Sequence, residues 1–321
     1  MADQFNAAYD SSLTALRFRP ESNVGVAASG AYYELEITDE SLVNNRETAV
    51  SQSFRSDRQV PGVTKVSETS SGDVNIETKY ANSISELYSG ALQSNWANNV
   101  VTNGRTRKSY TVEKEFYDPG GTGDNFQIFL GAEISTWSAE LAVGQFFTQT
   151  FGFTARDYET GNATISVSNS NVITAPATKF MNAVEEDIVI EVNGVPLESG
   201  IIQNIQWTLD NNMREQRGIG STALSGMGSG RFSVTGTMQV YWNGSNPLYT
   251  AYKNEQSVEL DLEIPDPDGN GYGYTFHSLF LQSAPAGASG LDQDVILEIP
   301  FTATMNGDPT PKTLSIRRFT A

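Results

Sequence analysis

The residues best suited to chemistry lie in a few short stretches. Asp266-Pro-Asp268-Gly-Asn270-Gly271 offers the alternating oxygen ligands and sixth-position glycine that open an EF-hand calcium loop. Its twelfth position, where a bidentate glutamate would close the site, is His277, and its flanks alternate like strands. The run therefore reads as an Asp/Gly/Asn hairpin turn, and so does its counterpart Asp118-Pro-Gly-Gly-Thr-Gly-Asp124. His277 is the single histidine, so a Ser-His-Asp centre would have to be built on it. It sits in the strand-like run Tyr274-Thr-Phe-His-Ser-Leu-Phe280, and no G-x-S-x-G elbow accompanies it. The glycines of Gly218-Ile-Gly220 and Gly226-Met-Gly228-Ser-Gly230 lack the Lys-Ser/Thr ending and the strand-to-helix setting of a phosphate loop, and read as a flexible connection. Carboxylates abound, but no pair is marked out for acid–base work, and most fall on the polar side of alternating strands. Trp96, Trp137, Trp207 and Trp242 have the flat faces a lectin stacks on sugars, although Trp207 and Trp242 lie in or beside strands, where packing is the commoner use. No catalytic residue, metal ligand or cofactor is expected.

Two arginine-bearing loops are more informative. Residues 55–72 and 214–230 are polar, rich in glycine or serine, and longer than strand connections usually need. Each opens with Arg-x-x-Arg: Arg55 and Arg58 in the first, Arg214 and Arg217 in the second. In an acidic chain such cations suit contacts with the acidic surface of a neighbouring copy, which set orientation and register more than affinity.

Composition narrows the function classes. The 321 residues suggest about two domains. Lys and Arg number 20 against 38 Asp and Glu, a net charge of −18, the opposite of what holds nucleic acid by its phosphates. With no cysteine there is no disulfide framework and no thiol chemistry. The start, Met1-Ala-Asp-Gln-Phe-Asn6, has neither the basic nor the apolar region of a signal peptide, and no run of about 18 apolar residues suggests a membrane span.

Strands must position these loops. Period-two alternation marks Glu34-Leu-Glu-Ile-Thr38, Asp73-Val-Asn-Ile-Glu-Thr-Lys-Tyr80, Ser109-Tyr-Thr-Val-Glu-Lys-Glu-Phe116 and Phe147-Thr-Gln-Thr-Phe-Gly-Phe153. It recurs at Asp187-Ile-Val-Ile-Glu-Val192, Ile205-Gln-Trp-Thr-Leu209, Phe232-Ser-Val-Thr-Gly-Thr-Met-Gln-Val240, Val258-Glu-Leu-Asp-Leu-Glu-Ile264 and Val295-Ile-Leu-Glu-Ile-Pro-Phe301. Two short helices interrupt the strands. One follows a capping box, Ser83-Ile-Ser-Glu86, and the other an Asn246 N-cap with Pro247 at the first helical position.

The same order of elements occurs twice: strand, arginine loop, strand, helix, strand, Asp-Pro hairpin, final strand. Arg55 and Arg58 correspond to Arg214 and Arg217, Ser71-Gly72 to Ser229-Gly230, and Leu87-Tyr88 to Leu248-Tyr249. At an offset of 148 residues, Asp118-Pro119 falls on Asp266-Pro267 and Phe153-Thr-Ala155 on Phe301-Thr-Ala303. Residues 1–160 and 161–321 each carry a net −9, with 12 and 8 basic against 21 and 17 acidic residues. The chain thus reads as two units with a boundary near the polar Asp157-Tyr-Glu-Thr-Gly-Asn-Ala163. The last run, Thr310-Pro-Lys-Thr-Leu-Ser-Ile-Arg-Arg-Phe319, reads as a strand pairing with Leu13-Thr-Ala-Leu-Arg-Phe18.

From Ala15-Leu-Arg-Phe-Arg-Pro-Glu-Ser22 and Ser56-Asp-Arg-Gln59, through Tyr88-Ser-Gly-Ala-Leu-Gln-Ser-Asn-Trp96 and Thr106-Arg-Lys-Ser-Tyr-Thr-Val-Glu-Lys-Glu-Phe116, to Leu209-Asp-Asn-Asn-Met-Arg214, Gly230-Arg-Phe-Ser-Val-Thr-Gly236 and Asp292-Gln-Asp-Val295, the sequence resembles the tail tube proteins of long-tailed bacteriophages, chiefly those with non-contractile tails. The resemblance implies a mainly β fold, here two tandem tail-tube-type β-sandwich or barrel units (1–160 and 161–321), each with a short flanking α-helix. It implies no enzyme. It implies a virion protein, made in the host cytoplasm, whose rings stack into the hollow tube through which DNA is ejected. Three two-unit chains would complete a pseudo-hexameric ring. The implied partners are further copies of the chain, a tape-measure protein, a tail terminator and a distal tail protein, with genomic DNA passing through unbound and no membrane involved. The four arginines of the two loops would contact neighbouring subunits. A carbohydrate- or calcium-binding β-sandwich of the adhesin kind is the competing reading.

Overall fold

In a computed structural model, residues 11–118, 124–161, 164, 172–184, 188–197, 201–242, 247–285 and 294–321 are described. The chain forms β1 (Thr14–Pro20), β2 (Tyr32–Leu35), β3 (Asp39–Glu40), β4 (Val43–Val50), β5 (Val63–Glu77), α1 (Asn82–Ala91), β6 (Val100–Thr102), β7 (Tyr110–Phe116), β8 (Asn125–Ala142), β9 (Thr148–Ala155) and β10 (Asp157–Gly161). It continues with β11 (Val172–Ile173), β12 (Val189–Val192), β13 (Val195–Pro196), β14 (Ile202–Asp210), β15 (Arg214–Gln216), β16 (Gly226–Gly228), β17 (Ser233–Tyr241), α2 (Pro247–Lys253), β18 (Val258–Pro265), β19 (Gly271–Leu281), β20 (Ile296–Ala303) and β21 (Leu314–Phe319). The fold is mainly β, as the alternation requires, with two short α-helices among the described residues.

One antiparallel run organises the molecule. β4 pairs with β5, β5 with β9, and β9 with the second half of β8. The far edge of β8 then takes β14, with Glu140 opposite Gln206 and Trp137 opposite Leu209. From β14 the ladder passes to β17, to β20 and to the end of β19. The first half of β8 belongs to a flanking wall, between β7 and β10, and β1 and β2 extend that wall. The start of β19 is placed likewise, between β18 and β21.

One pairing occurs in similar form in both parts of the run. Phe153 of β9 lies opposite Gly72 of β5, and Phe301 of β20 opposite Gly236 of β17. A Cβ on Gly72 would come within 2.4 Å of the Ser41 carbonyl oxygen, and one on Gly236 within 2.4 Å of the Gln206 carbonyl oxygen and the Phe301 ring. The 148-residue offset therefore holds for the last strands, whereas the partner of Gly72 is Gly236 and not Gly230. Strand pairing, and not local similarity, sets that correspondence.

The core is shared. Trp137, Phe147, Phe151 and Trp207 from the long run meet Tyr272, Tyr274 and Phe276 of β19, all buried. Helix α1 of the first half inserts Tyr88 between them. Its hydroxyl lies 2.6 Å from that of Tyr274 and accepts a bond from Gln149 Nε2 (2.6 Å), while Trp137 Nε1 donates to Gln149 Oε1 (2.8 Å). Burial pushes both tyrosine hydroxyls well above their ordinary pKa, so this network is held by neutral groups.

Three local expectations are corrected. Ser83 lies inside α1 and caps nothing; the N-cap is Ala81, with no side-chain cap of its own. Tyr272 replaces the box from across the core, receiving the Ala81 amide (3.3 Å) and donating to its carbonyl (2.8 Å), while Glu86 turns to Lys108 (2.8 Å) and Tyr110 (3.3 Å). The final strand pairs with β19 and β6, because β1 already has β2 and β7 as neighbours. Asp157–Gly161 is strand β10 along β8 and not a turn-rich link. Pro247 opens α2 as expected; Asn246 lies outside the described residues.

Candidate functional site

Alternation gives the long antiparallel run one apolar face against the core and one polar face. The polar face is concave, with a hollow lined by Ser138, Glu140, Thr150, Gln206, Thr208 and Thr237, drawn from β8, β9, β14 and β17. The charged positions on this side of β5, β8, β14, β17 and β20 are Asp73, Glu77, Glu140, Asp210 and Glu298, all acidic among the described residues. Asn204 Nδ2 donates to Glu140 Oε1 (2.8 Å) across the junction of the two halves, so even there the wall is polar and continuous. Acids at these strand positions repel a polyanion, although Arg214 and Arg231 line the adjoining hollow beside Asp210.

The two arginine loops come from this run but differ in form. The first was expected over 55–72. Instead β5 begins at Val63, and β4 and β5 form an extended arm whose tip is residues 51–62. At the tip Arg55 pairs with Asp57 (2.6 and 2.9 Å), and Arg58 takes the left-handed conformation with φ of 60°. Phe54 is fully exposed, and Val50, Val60 and Val63 are also exposed.

The second loop folds back. Arg214–Gln216 pairs with Gly226–Gly228 as a short ribbon, and Leu224 and Met227 are buried. Arg217 reaches β5, donating to the Glu68 carbonyl (3.0 Å) and the Thr69 hydroxyl (2.7 Å), and it also pairs with Glu215 (2.7 Å). The Glu68 amide in turn donates to the Thr222 carbonyl (3.1 Å). Sequence alone gave no signal of this docking, since its acceptors are mostly backbone carbonyls.

Residues 11–303 match a family described as phage tail tube protein. The chain belongs to this phage tail tube protein family. No curated protein matches the chain. Membership makes the molecule a structural component of a phage tail. For a tail tube protein, the long β run with a polar concave face is the element able to wall a channel.

The tail tube protein's other candidate sites resolve into structural roles. Asp266 is buried, and its Oδ1 accepts the amides of Asp268 and Asn270 (both 2.9 Å), so the carboxylate serves the hairpin turn. The related Asp118 turn is bounded by a bond from the Asp118 amide to Asp124 Oδ1 (3.0 Å), and residues 119–123 lie outside the described residues. His277 Nε2 lies 2.7 Å from Ser315 Oγ, and Nδ1 lies 3.4 Å from Glu259. That row has the order of a nucleophilic triad, but Ser315 is buried in β21, which pairs with β19 on one side and β6 on the other. Its ladder leaves no pair of free amides to stabilise an oxyanion. Trp137 and Trp207 are buried against each other (5.9 Å between rings) and are closed to sugars. No helix among the described residues is long and apolar enough to cross a membrane.

Proposed function

We propose that three chains close into a ring in which each contributes two tube units, and that stacked rings form the hollow tube of a non-contractile tail through which DNA is ejected. The observation that carries this reading is the junction between β8 and β14. There the first half of the chain continues directly into the second, in the same antiparallel run, with a register of seven residue pairs. The run begins at β3 and β4, whose outer edges have no strand partner among the described residues, and ends at β19, where Leu279 also meets Val258 of β18 and only Phe280 and Leu281 pair with β20 alone among the described residues. An open sheet edge is a template for another strand. Repeating the β8–β14 junction between chains satisfies both ends and closes the barrel.

On this reading residues 1–160 and 161–321 are the two tube units, joined by one internal seam. The acidic concave face lines the lumen, where it keeps DNA from adhering as it passes. The two arginine loops contact neighbouring subunits: Arg55 and Arg58 present cations at the arm tip, and Arg214 presents one on the second loop, whose path Arg217 holds against β5. The protein performs no catalysis and needs no cofactor. It assembles in the host cytoplasm around a tape-measure protein, between a terminator and a distal tail protein, and ends in the virion tail. Electron microscopy of the purified, polymerised protein tests the ring. Threefold symmetry with six similar lobes is expected. Sixfold rings of chains would mean that only one unit of each chain lines the lumen.

A further inference from the structure

We infer that chains join around the ring in one register, with Asn45 of one chain opposite Gln282 of a second copy, and that Glu40 and Pro285 hold it there. This rests on the tube reading and names the residues of its inter-chain joint. The seam inside the chain supplies the template. Leu42 lies against Gly72 as Trp207 lies opposite Gly236, so Val43, Asn44 and Asn45 on β4 take the places of Thr208, Leu209 and Asp210 on β14. On the other edge, Leu281 meets Phe301 as Ile134 meets Phe153. The Gln282 amide then donates to the Pro300 carbonyl (2.9 Å), which gives Gln282 the place of Thr136 after the bulge in β8. Asp210 faces Thr136 in the internal seam. Between chains Asn45 therefore faces Gln282, Asn44 faces Ser283, Arg46 faces Leu281 and Leu42 faces Pro285.

Three observations on the two edges fit this alignment. First, the main chains point the right way. The Ser41 amide donates inward to the Asp73 carbonyl (2.9 Å), so alternation turns the main-chain groups of Leu42, Asn44 and Arg46 to the outer edge. The bond from Gln282 to Pro300 turns those of Leu281 and Ser283 outward likewise. Second, two positions that cannot bond fall opposite each other. The Leu42 amide is already taken by Glu40 Oε2 (2.9 Å), while Lys114 pairs with the other oxygen of Glu40, and Pro285 has no amide to give. Third, a two-residue slip, the smallest that keeps each face, loses a bond in either direction. Toward β3, Leu42 would face Ser283 with its amide occupied. Toward the arm, Pro285 would face Asn44 and leave the Asn44 carbonyl without a donor. Within one chain the two edges do not pair with each other among the described residues, so the partner is a second copy.

The lack of cysteine gives a clean test. Asn45 and Gln282 are both exposed, and as a non-hydrogen-bonded pair they would stand about 4.5 Å apart at Cα, within reach of a disulfide. The full-length chain carrying Asn45→Cys and Gln282→Cys is polymerised and oxidised, then run on a denaturing gel without reductant. Covalent dimers and trimers are expected from tubes, nothing larger, and neither from a single variant. Val43→Cys with Gln282→Cys, and Glu47→Cys with Gln282→Cys, are each two residues out and are expected to give at least tenfold less product. Adding Glu40→Ala to the first, or Pro285→Ala to the second, is expected to raise that product again. If neither does, Glu40 and Pro285 do not hold the register. Tubes in which the Asn45 pair yields no crosslink, or less than an out-of-register pair, overturn the register and leave the tube reading intact. Products of more than three chains uphold the register and overturn the three-chain ring. A wild-type protein that forms no tube under any condition overturns the tube reading and the joint with it.

Discussion

The arm at 51–62 and the loop at 214–230 begin with the same Arg-x-x-Arg spacing and leave corresponding strands, yet one projects and the other is tied down. The difference lies in what each meets. Arg217 faces the carbonyl of Glu68 and the hydroxyl of Thr69, and Leu224 and Met227 find apolar cover. Arg55 has only Asp57, two residues away, and Phe54 has no cover. A shared motif thus specifies the exit from a strand, whereas the surface under the loop decides its path. The arm also supports the loop, since the acceptors for Arg217 lie on the arm's own strand.

The contrast can be broken most severely through the buried anchors. Replacing Leu224 and Met227 together by alanine should cost about 2–4 kcal/mol in urea unfolding, at the lower end for buried aliphatic truncations because the site is peripheral. Phe54→Ala with Val60→Ala should stay within about 0.5 kcal/mol of wild type, as surface substitutions do. Equal effects would show that the arm is packed after all. A smaller effect separates the arginines. Arg217→Ala should cost about 1 kcal/mol by thermal melting, the worth of hydrogen bonds at a partly exposed site. Brief trypsin treatment of the unassembled wild type should cut after Arg55 and Arg58 well before Arg217. Arg58→Gly tests backbone strain at the tip: with φ of 60° it should be neutral or stabilising by up to about 1 kcal/mol.

The smallest effect is expected at the root of the arm. Lys65 first, then Asn44 and Arg46, hydrogen-bond Glu68 and hold its carboxyl down to about 2. A depressed folded pKa gives stability that is present above the ordinary carboxylate range and is lost as pH falls through it toward 2. The protection of the amides at residues 44–48, relative to their intrinsic exchange rate at each pH, should therefore fall between about pH 4.5 and pH 2, before the core opens. No change over that interval would remove Glu68 as a clasp.

Much of this was legible in the residues. Alternation located β7, β9, β14, β17, β18 and β20. The first ten residues of β5, Val-Thr-Lys-Val-Ser-Glu-Thr-Ser-Ser-Gly, escaped because their buried positions, Ser67 and Ser70, are polar and leave no apolar period to show. The start of α1 was misread because Tyr272, distant in sequence, does the work assigned to Ser83. The acids of the polar face were visible as alternating residues, Glu298 within Val295-Ile-Leu-Glu-Ile-Pro-Phe301 among them, but curvature is a property of the assembled sheet. Arg217 carried a signal only as a cation. Its acceptors, a main-chain oxygen and a hydroxyl, have no signature that marks them as its targets.

The seam between β8 and β14 also bears on how assembly begins. Two units joined by one chain meet as neighbours at an effective concentration in the millimolar range rather than that of the free protein. In the proposed ring half of the seams are present before any encounter, so the first closed ring is a three-body event and not a six-body one. The concentration at which nucleation becomes fast falls accordingly, and an odd number of units cannot accumulate. A fused pair thus counts in twos, giving the growing polymer a parity that separate subunits would lack.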